Sequence, residues 1–202
     1  MLAAEASIDQ ILPEEWLRAQ HYQLLARFLA APAEAGLLDL ASGFEGDDSE
    51  FGQALAELAG RAGQVTPEAA SREYHDLFIG IGRGELVPYA SYYLTGFLNE
   101  KPLAKLRGDM ARLGMARAEA VKEPEDHIAA LCEMMAGLIT GTFGAPLELA
   151  AQRAFFDRHL APWAPLFFED LEKAKSAWLY APVGMLGRVF MGIEKTAFMM
   201  ET

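Results

Sequence analysis

Cysteine is nearly missing from this chain of 202 residues. A single Cys132 makes neither an internal disulfide nor a cysteine-based zinc site, and it suits a reducing compartment. Basic residues are also scarce, 17 against 29 acidic, for a net charge of −12. No local basic stripe offsets that balance, so nucleic acid is not an expected partner. An acidic surface suits a cationic partner, though the same charge also keeps a protein in solution. Long apolar runs are lacking: the longest uncharged stretch of the second half, Met134 to Leu147, is too short and too rich in glycine for a bilayer span of about 20 residues. The opening MLAAEASIDQILPEEW has no positive region followed by an apolar one, which excludes a secretory signal there. A cytoplasmic protein without an integral membrane segment is expected. Alternating β-branched runs are missing too, which argues against sheet.

What is present is apolar residues at helical spacing, 52% hydrophobic residues in all. At this length about 70% of the unfolded surface can be buried, enough for a core without staples. The expected fold is all-α, one compact helical bundle over 1–202. A first helix follows Pro13 and stops before Pro32, with Leu17, Leu24, Leu25 and Phe28 on one face. A short helix covers Ala33 to Leu40, and another carries Phe51, Leu55, Leu58 and Ala62. Thr66-Pro67-Glu68 is a strong helix start, combining a capping hydroxyl, a proline that needs no amide partner and an acid at the positive helix end. That helix should run to about Phe78. Pro102 to Leu113 forms the next. Pro124 at a first helical position opens the clearest helix, with Ile128, Leu131, Cys132, Met135, Leu138 and Ile139 as an apolar stripe. Leu147 to Leu160, Pro165 to Ala174 and a last helix from about Pro182 complete the bundle, with a hinge at 114–123.

Two constellations stand out. The first is Glu73-Tyr74-His75-Asp76-Leu77-Phe78, then Gly80-Ile81-Gly82-Arg83-Gly84, then Pro88-Tyr89-Ala90-Ser91-Tyr92-Tyr93. Tyr74, Leu77 and Phe78 share a helix face, as core residues do. Three glycines in five residues let backbone approach a ligand or another backbone, and clustered tyrosines give apolar surface with polar tips, as peptide-binding surfaces do. The glycine loop follows a helix, lacks the Lys-Ser/Thr of a P-loop and misses the dinucleotide spacing, so it does not specify a nucleotide. The second constellation is Glu123-Pro124-Glu125-Asp126-His127, whose acids are what a helix N-terminus favours. His127 borders the apolar stripe about 20° from Met134 and Leu138.

Histidines 21, 75, 127 and 159 form no HExxH pattern or ligand spacing, so no metal or other cofactor is expected. Ser91 lacks a nucleophile elbow and Cys132 lies mid-stripe, so no catalytic residue is nominated. The rival readings are a nucleotide-dependent helical switch or a small metal-dependent enzyme built on Gly80–Gly84 and Glu123–His127, and a purely structural helix bundle.

The pattern Tyr74-x-x-Leu77-Phe78-x-Gly80 to Pro88-Tyr89-x-Ser91-x-Tyr93, followed by Glu123-Pro124-x-Asp126-His127, resembles the TorD/DmsD family of redox-enzyme maturation chaperones. Gln152 to Phe156, then His159-Leu160 and Trp163, extends the resemblance, which covers roughly 10 to 195. Some relatives carry tryptophan where Tyr74 or Tyr89 stands here. The resemblance implies an all-helical cytoplasmic chaperone, not an enzyme, that binds the twin-arginine signal peptide of an apo-molybdoenzyme until its cofactor is inserted. It also implies peptide contacts at Tyr74, Leu77, Phe78, Gly80, Gly82, Pro88, Tyr89, Ser91, Tyr93, Asp126 and His127. Gly96 to Pro102 resembles members associated with formate dehydrogenases. Two guanidinium groups and an apolar stretch call for carboxylates beside an aromatic groove, with Glu123, Glu125 and Asp126 supplying charge. The two segments are expected to pack together with His127 at the seam. A monomer and a dimer exchanging halves are both open.

Overall fold

A computed structural model describes residues 11–117 and 121–200. Among these residues ten α-helices follow one another: α1 Pro13–Ala30, α2 Ala35–Ser42, α3 Glu50–Ala62, α4 Pro67–Tyr74, α5 Ala90–Thr95, α6 Lys101–Arg112, α7 Ile128–Thr140, α8 Leu149–His159, α9 Ala164–Lys173 and α10 Tyr180–Met200. Among the described residues the only extended pairing is one antiparallel bridge, Tyr89 to His127. The all-α fold expected from the sequence is therefore the observed one. The reading that excluded a secretory signal rests largely on 1–10, which lie outside the described residues.

The chain divides into two units, and neither is continuous. The first comprises 1–26 and 89–162, the second 27–88 and 163–202. The expected hinge at 114–123 is not among these crossings: its described residues fall inside the first unit, and 118–120 lie outside the described residues.

In the first unit α7 is the central element. The stripe Ile128, Leu131, Cys132, Met135, Leu138 and Ile139 is buried, but so are Ala129, Met134, Ala136 and Gly137. The helix is enclosed on nearly all sides, with Glu133 left as its exposed position. Gln152 of α8 anchors the start of α1, donating to Glu15 at 3.1 Å while accepting from Arg18 at 3.2 Å. Leu17, expected on the buried face of α1, points outward, because the buried residues of this part of the helix are Ala19, Tyr22, Leu25 and Ala26.

In the second unit α10 packs along α9 and against α3. The α9 contact requires glycine at 187, where a Cβ would stand 2.2 Å from the Phe168 ring. Tyr180 lies at the centre of an aromatic group. Its ring meets Tyr74 and Phe78 at 5.9 Å each and Phe28 at 6.3 Å, contacts worth about 0.5–1.5 kcal/mol each beyond area burial. Its hydroxyl accepts from the Ala33 amide at 3.2 Å. The units also differ in charge: the second holds 16 acidic and 8 basic side chains, the first 13 and 9.

Tyr180→Phe keeps the rings and leaves the buried Ala33 amide without its acceptor. Destabilisation of about 1–2 kcal/mol with an unchanged helical spectrum is expected from urea denaturation followed by circular dichroism.

Candidate functional site

The residues nominated from the sequence separate by unit. Tyr74, Leu77, Phe78, Gly80, Gly82 and Pro88 belong to the second, and Tyr89, Ser91, Tyr93, Glu123, Asp126 and His127 to the first.

In the second unit α4 starts as its sequence dictates. The Thr66 hydroxyl accepts from the Ala69 amide at 3.3 Å, with Pro67 next in line. The expected continuation to Phe78 changes character at His75, because His75–Ile79 is π-helical. The Gly80 amide closes it on the His75 carbonyl at 2.7 Å. Gly80 has φ +61°, and a Cβ there would lie 2.1 Å from the Arg83 carbonyl oxygen, so the turn requires glycine. Tyr74 and Leu77 are buried, and the Tyr74 hydroxyl donates to the Leu29 carbonyl at 3.1 Å. These two serve the core, Pro88 is also buried, and Phe78 is half-buried. Ile79 and Ile81 on either side of Gly80 are exposed, Ile81 completely. Neither was singled out from the sequence, although apolar residues between glycines are the signal that could have found them.

In the first unit the segment 89–91 meets 126–127. The Ala90 amide donates to the Asp126 carbonyl at 3.0 Å, and the Ser91 amide to Asp126 Oδ2 at 2.8 Å. The Tyr89 ring stands edge-on to the His127 imidazole at 5.0 Å, and its hydroxyl donates to Glu123. Tyr93 is half-buried one turn along α5. His127 therefore lies at a seam between the two motif halves, but as an α7 cap rather than as a helical residue at the edge of a stripe. Its Nδ1 accepts from the Ala129 amide at 3.2 Å.

The expectation that Pro124 opens this helix needs correction. The chain stays extended at His127 (ψ 139°), because the Asp126 carbonyl is committed to Ala90 across the pairing and not to a helical amide. Glu123, Glu125 and Asp126 precede the helix. Each has a partner: Glu123 takes Tyr89, Asp126 takes Ser91, and Glu125 takes Arg107 at 2.7 Å and 3.0 Å. The Arg107 pair, 18 residues apart in sequence, leaves no local pattern to read. Burial pushes the Glu125 carboxyl up, but hydrogen bonds from Arg107 and its own amide, with the charges of Arg107 and Arg117, hold it below the usual range. Burial pushes the Cys132 thiol up and leaves it inert.

Beside Asp126 is a pocket of about 100 Å³, lined among others by Leu94, Lys105, Leu131, Arg158 and His159. Arg158 donates to both oxygens of Asp109 at 3.0 Å and 2.8 Å, and His159 Nε2 bonds the same carboxylate at 2.7 Å. Among the described residues no group of three or more His, Cys, Asp or Glu is placed to hold a metal. No helix there is long and apolar enough to cross a membrane.

The sequence pattern of the family described as nitrate reductase delta subunit matches residues 44–169, across both motif halves. The chain belongs to this family. The TorD-type redox-enzyme maturation chaperones expected from the two-part motif are among its relatives. "Chaperone protein TorD" of Vibrio cholerae Classical Ogawa is 32% identical over 130 residues, covering 61% of this chain and 59% of the relative. Its counterpart from Vibrio cholerae El Tor Inaba is 31% identical over 150 residues, covering 71% of this chain and 67% of the relative. The chain thus spans about three fifths of the length of the first of these relatives. Among solved structures, a redox enzyme maturation protein from Archaeoglobus fulgidus superposes with a TM-score of 0.60 at 25% identity, covering 86% of this chain and 93% of the other. Family relatives carry the name of chaperones, and the reading of this chain as no enzyme agrees with those names.

Burial lowers the His127 pKa from 6.5 to about 4, against smaller upward pulls from Glu123 and Asp126. His159 falls to about 4 through burial and the charges of Arg158, Arg112 and Lys105. The unfolded state takes up these protons near pH 6.5 and the folded state near 4, so the unfolded state binds more protons in between. Stability is complete above pH 6.5 and falls as pH drops towards 4. His127→Asn keeps a capping side chain without the titration. Urea denaturation at pH 7 and pH 5 should show the variant losing about 2 kcal/mol less than the parent between these values.

Proposed function

We propose that the chain is a cytoplasmic chaperone for molybdoenzyme maturation. In this reading it binds the twin-arginine signal peptide of its client and holds it until cofactor insertion and folding are complete, before export. The observation that carries this reading is the meeting of the two motif halves at Tyr89 and His127, inside the stretch that matches the family. The names of the relatives point the same way. Tyr89 and Tyr93 offer half-buried aromatic surface in one unit, and Phe78, Ile79 and Ile81 offer apolar surface in the other. An apolar leader segment gains from covering such surface at roughly 25 cal/mol per Å². Exposed guanidinium pairs add only about 1 kcal/mol each, so apolar contact dominates affinity. The second unit's excess of acid attracts the cationic peptide over longer range.

The client proposed is a formate dehydrogenase, on the resemblance of Gly96 to Pro102. That stretch follows α5 with Gly96 at φ +83° and Asn99 at φ +60°, and presents Phe97 and Leu98 to solvent.

Calorimetric titration with synthetic leaders tests the proposal. A formate dehydrogenase leader should bind at micromolar affinity or better, more tightly than leaders of trimethylamine N-oxide or dimethyl sulfoxide reductases. Making its apolar stretch polar should weaken binding more than changing both arginines to glutamine, and Tyr89→Ala or Phe78→Ala should each cost about tenfold. Sedimentation of the same samples separates monomer from exchanged dimer. A folded protein that binds none of the leaders overturns the reading.

A further inference from the structure

Asp126 is the one acidic residue of its cluster that solvent does not reach: it is 1% exposed, and Oδ1 has neither solvent contact nor a hydrogen-bond partner. Both of its other oxygens are spent on the chain itself. Oδ2 takes the Ser91 amide at 2.8 Å and the carbonyl takes the Ala90 amide at 3.0 Å, successive donors at the open end of α5. Those two bonds fix the register in which Tyr89 pairs with His127. From that register follow the edge-on contact of the two rings at 5.0 Å and the reach of the Tyr89 hydroxyl to Glu123. A guanidinium arriving from solvent has no open approach to the second carboxylate oxygen, because solvent itself does not reach it. The pocket that Asp126 lines, about 100 Å³, already has Lys105 and Arg158 in its wall. A guanidinium entering there would meet Lys105, while the Arg158 side chain is already paired with Asp109.

We propose that Asp126 is a positioning residue, which sets Tyr89 and His127 in place through the first turn of α5 and does not meet the arginines of the leader. The inference rests on the peptide-binding reading above for its effect on affinity, but not for its geometry. Geometry and charge make opposite demands at this position. An asparagine oxygen can still accept from Ser91, whereas alanine cannot, and both remove the charge.

The test combines Asp126→Asn and Asp126→Ala with the leader and its double arginine-to-glutamine variant in a double-mutant cycle. It adds nuclear magnetic resonance of the Ser91 amide and the His127 ring. D126N should bind within about threefold of the parent, show less than twofold coupling to the leader arginines, and keep both resonances. D126A should lose tenfold or more and shift both. Coupling of tenfold or more between D126N and the leader arginines, with the resonances unmoved, overturns the proposal. If D126A does not fold, the D126N cycle decides alone. If the parent binds no leader, the functional reading fails, while the resonances still decide the positioning role: displacement in D126A with retention in D126N supports it, and retention in a folded D126A rejects it.

Discussion

Carboxylates that accept backbone amides across long stretches of chain are the interaction on which this structure depends. Each helix end leaves amides or carbonyls without partners, and a chain whose only strand pairing is a single bridge among its described residues must satisfy them by other means. Glu73 accepts from Trp178, Leu179 and Tyr180 at 2.7–3.0 Å, and so fixes where α10 begins. Glu85 takes Lys175 and Ser176 at 2.7 Å and 2.9 Å, just before it. In the other unit Asp126 does the same for α5. Acceptors of this kind combine charge with direction, which gives them about twice the strength of neutral hydrogen bonds. They also explain how an acidic chain spends part of its charge: several carboxylates are structural caps facing backbone dipoles, and are not free for a partner.

Much of the fold was legible because helix starts and stops are local. Thr66-Pro67, the stop before Pro32, and the stripe from Ile128 to Ile139 each announce themselves within a few residues, and each stands where it was expected. The errors arose where a long-range contact overrode a local preference. Pro124 with its acids has every local mark of a helix start, but Asp126 answers to Ala90, a residue 36 positions earlier. His75–Ile79 continues the apolar spacing of α4 and yet takes a wider turn.

The site was legible in outline and less so in role. The expectation that the two motif segments pack together with His127 at the seam is met where 89–91 meet 126–127. Of Tyr74, Leu77 and Phe78, read as a face typical of core, the first two are buried and Phe78 is half-buried. Sequence spacing could not tell a carboxylate aimed at solvent from one turned inward, since Glu123 and Asp126 differ only in which neighbour the fold offers them. The motif residues up to Pro88 fall in one unit and those from Tyr89 on in the other, a division that no local pattern announces.

The π-helical turn at His75–Ile79 carries a consequence for comparing relatives. A π turn holds one residue more than the α turn it replaces. Removing that residue would restore α geometry and swing everything after it by about 100° around the helix axis. Two chains that differ by that one position within 75–79 would then aim their glycine loops in different directions.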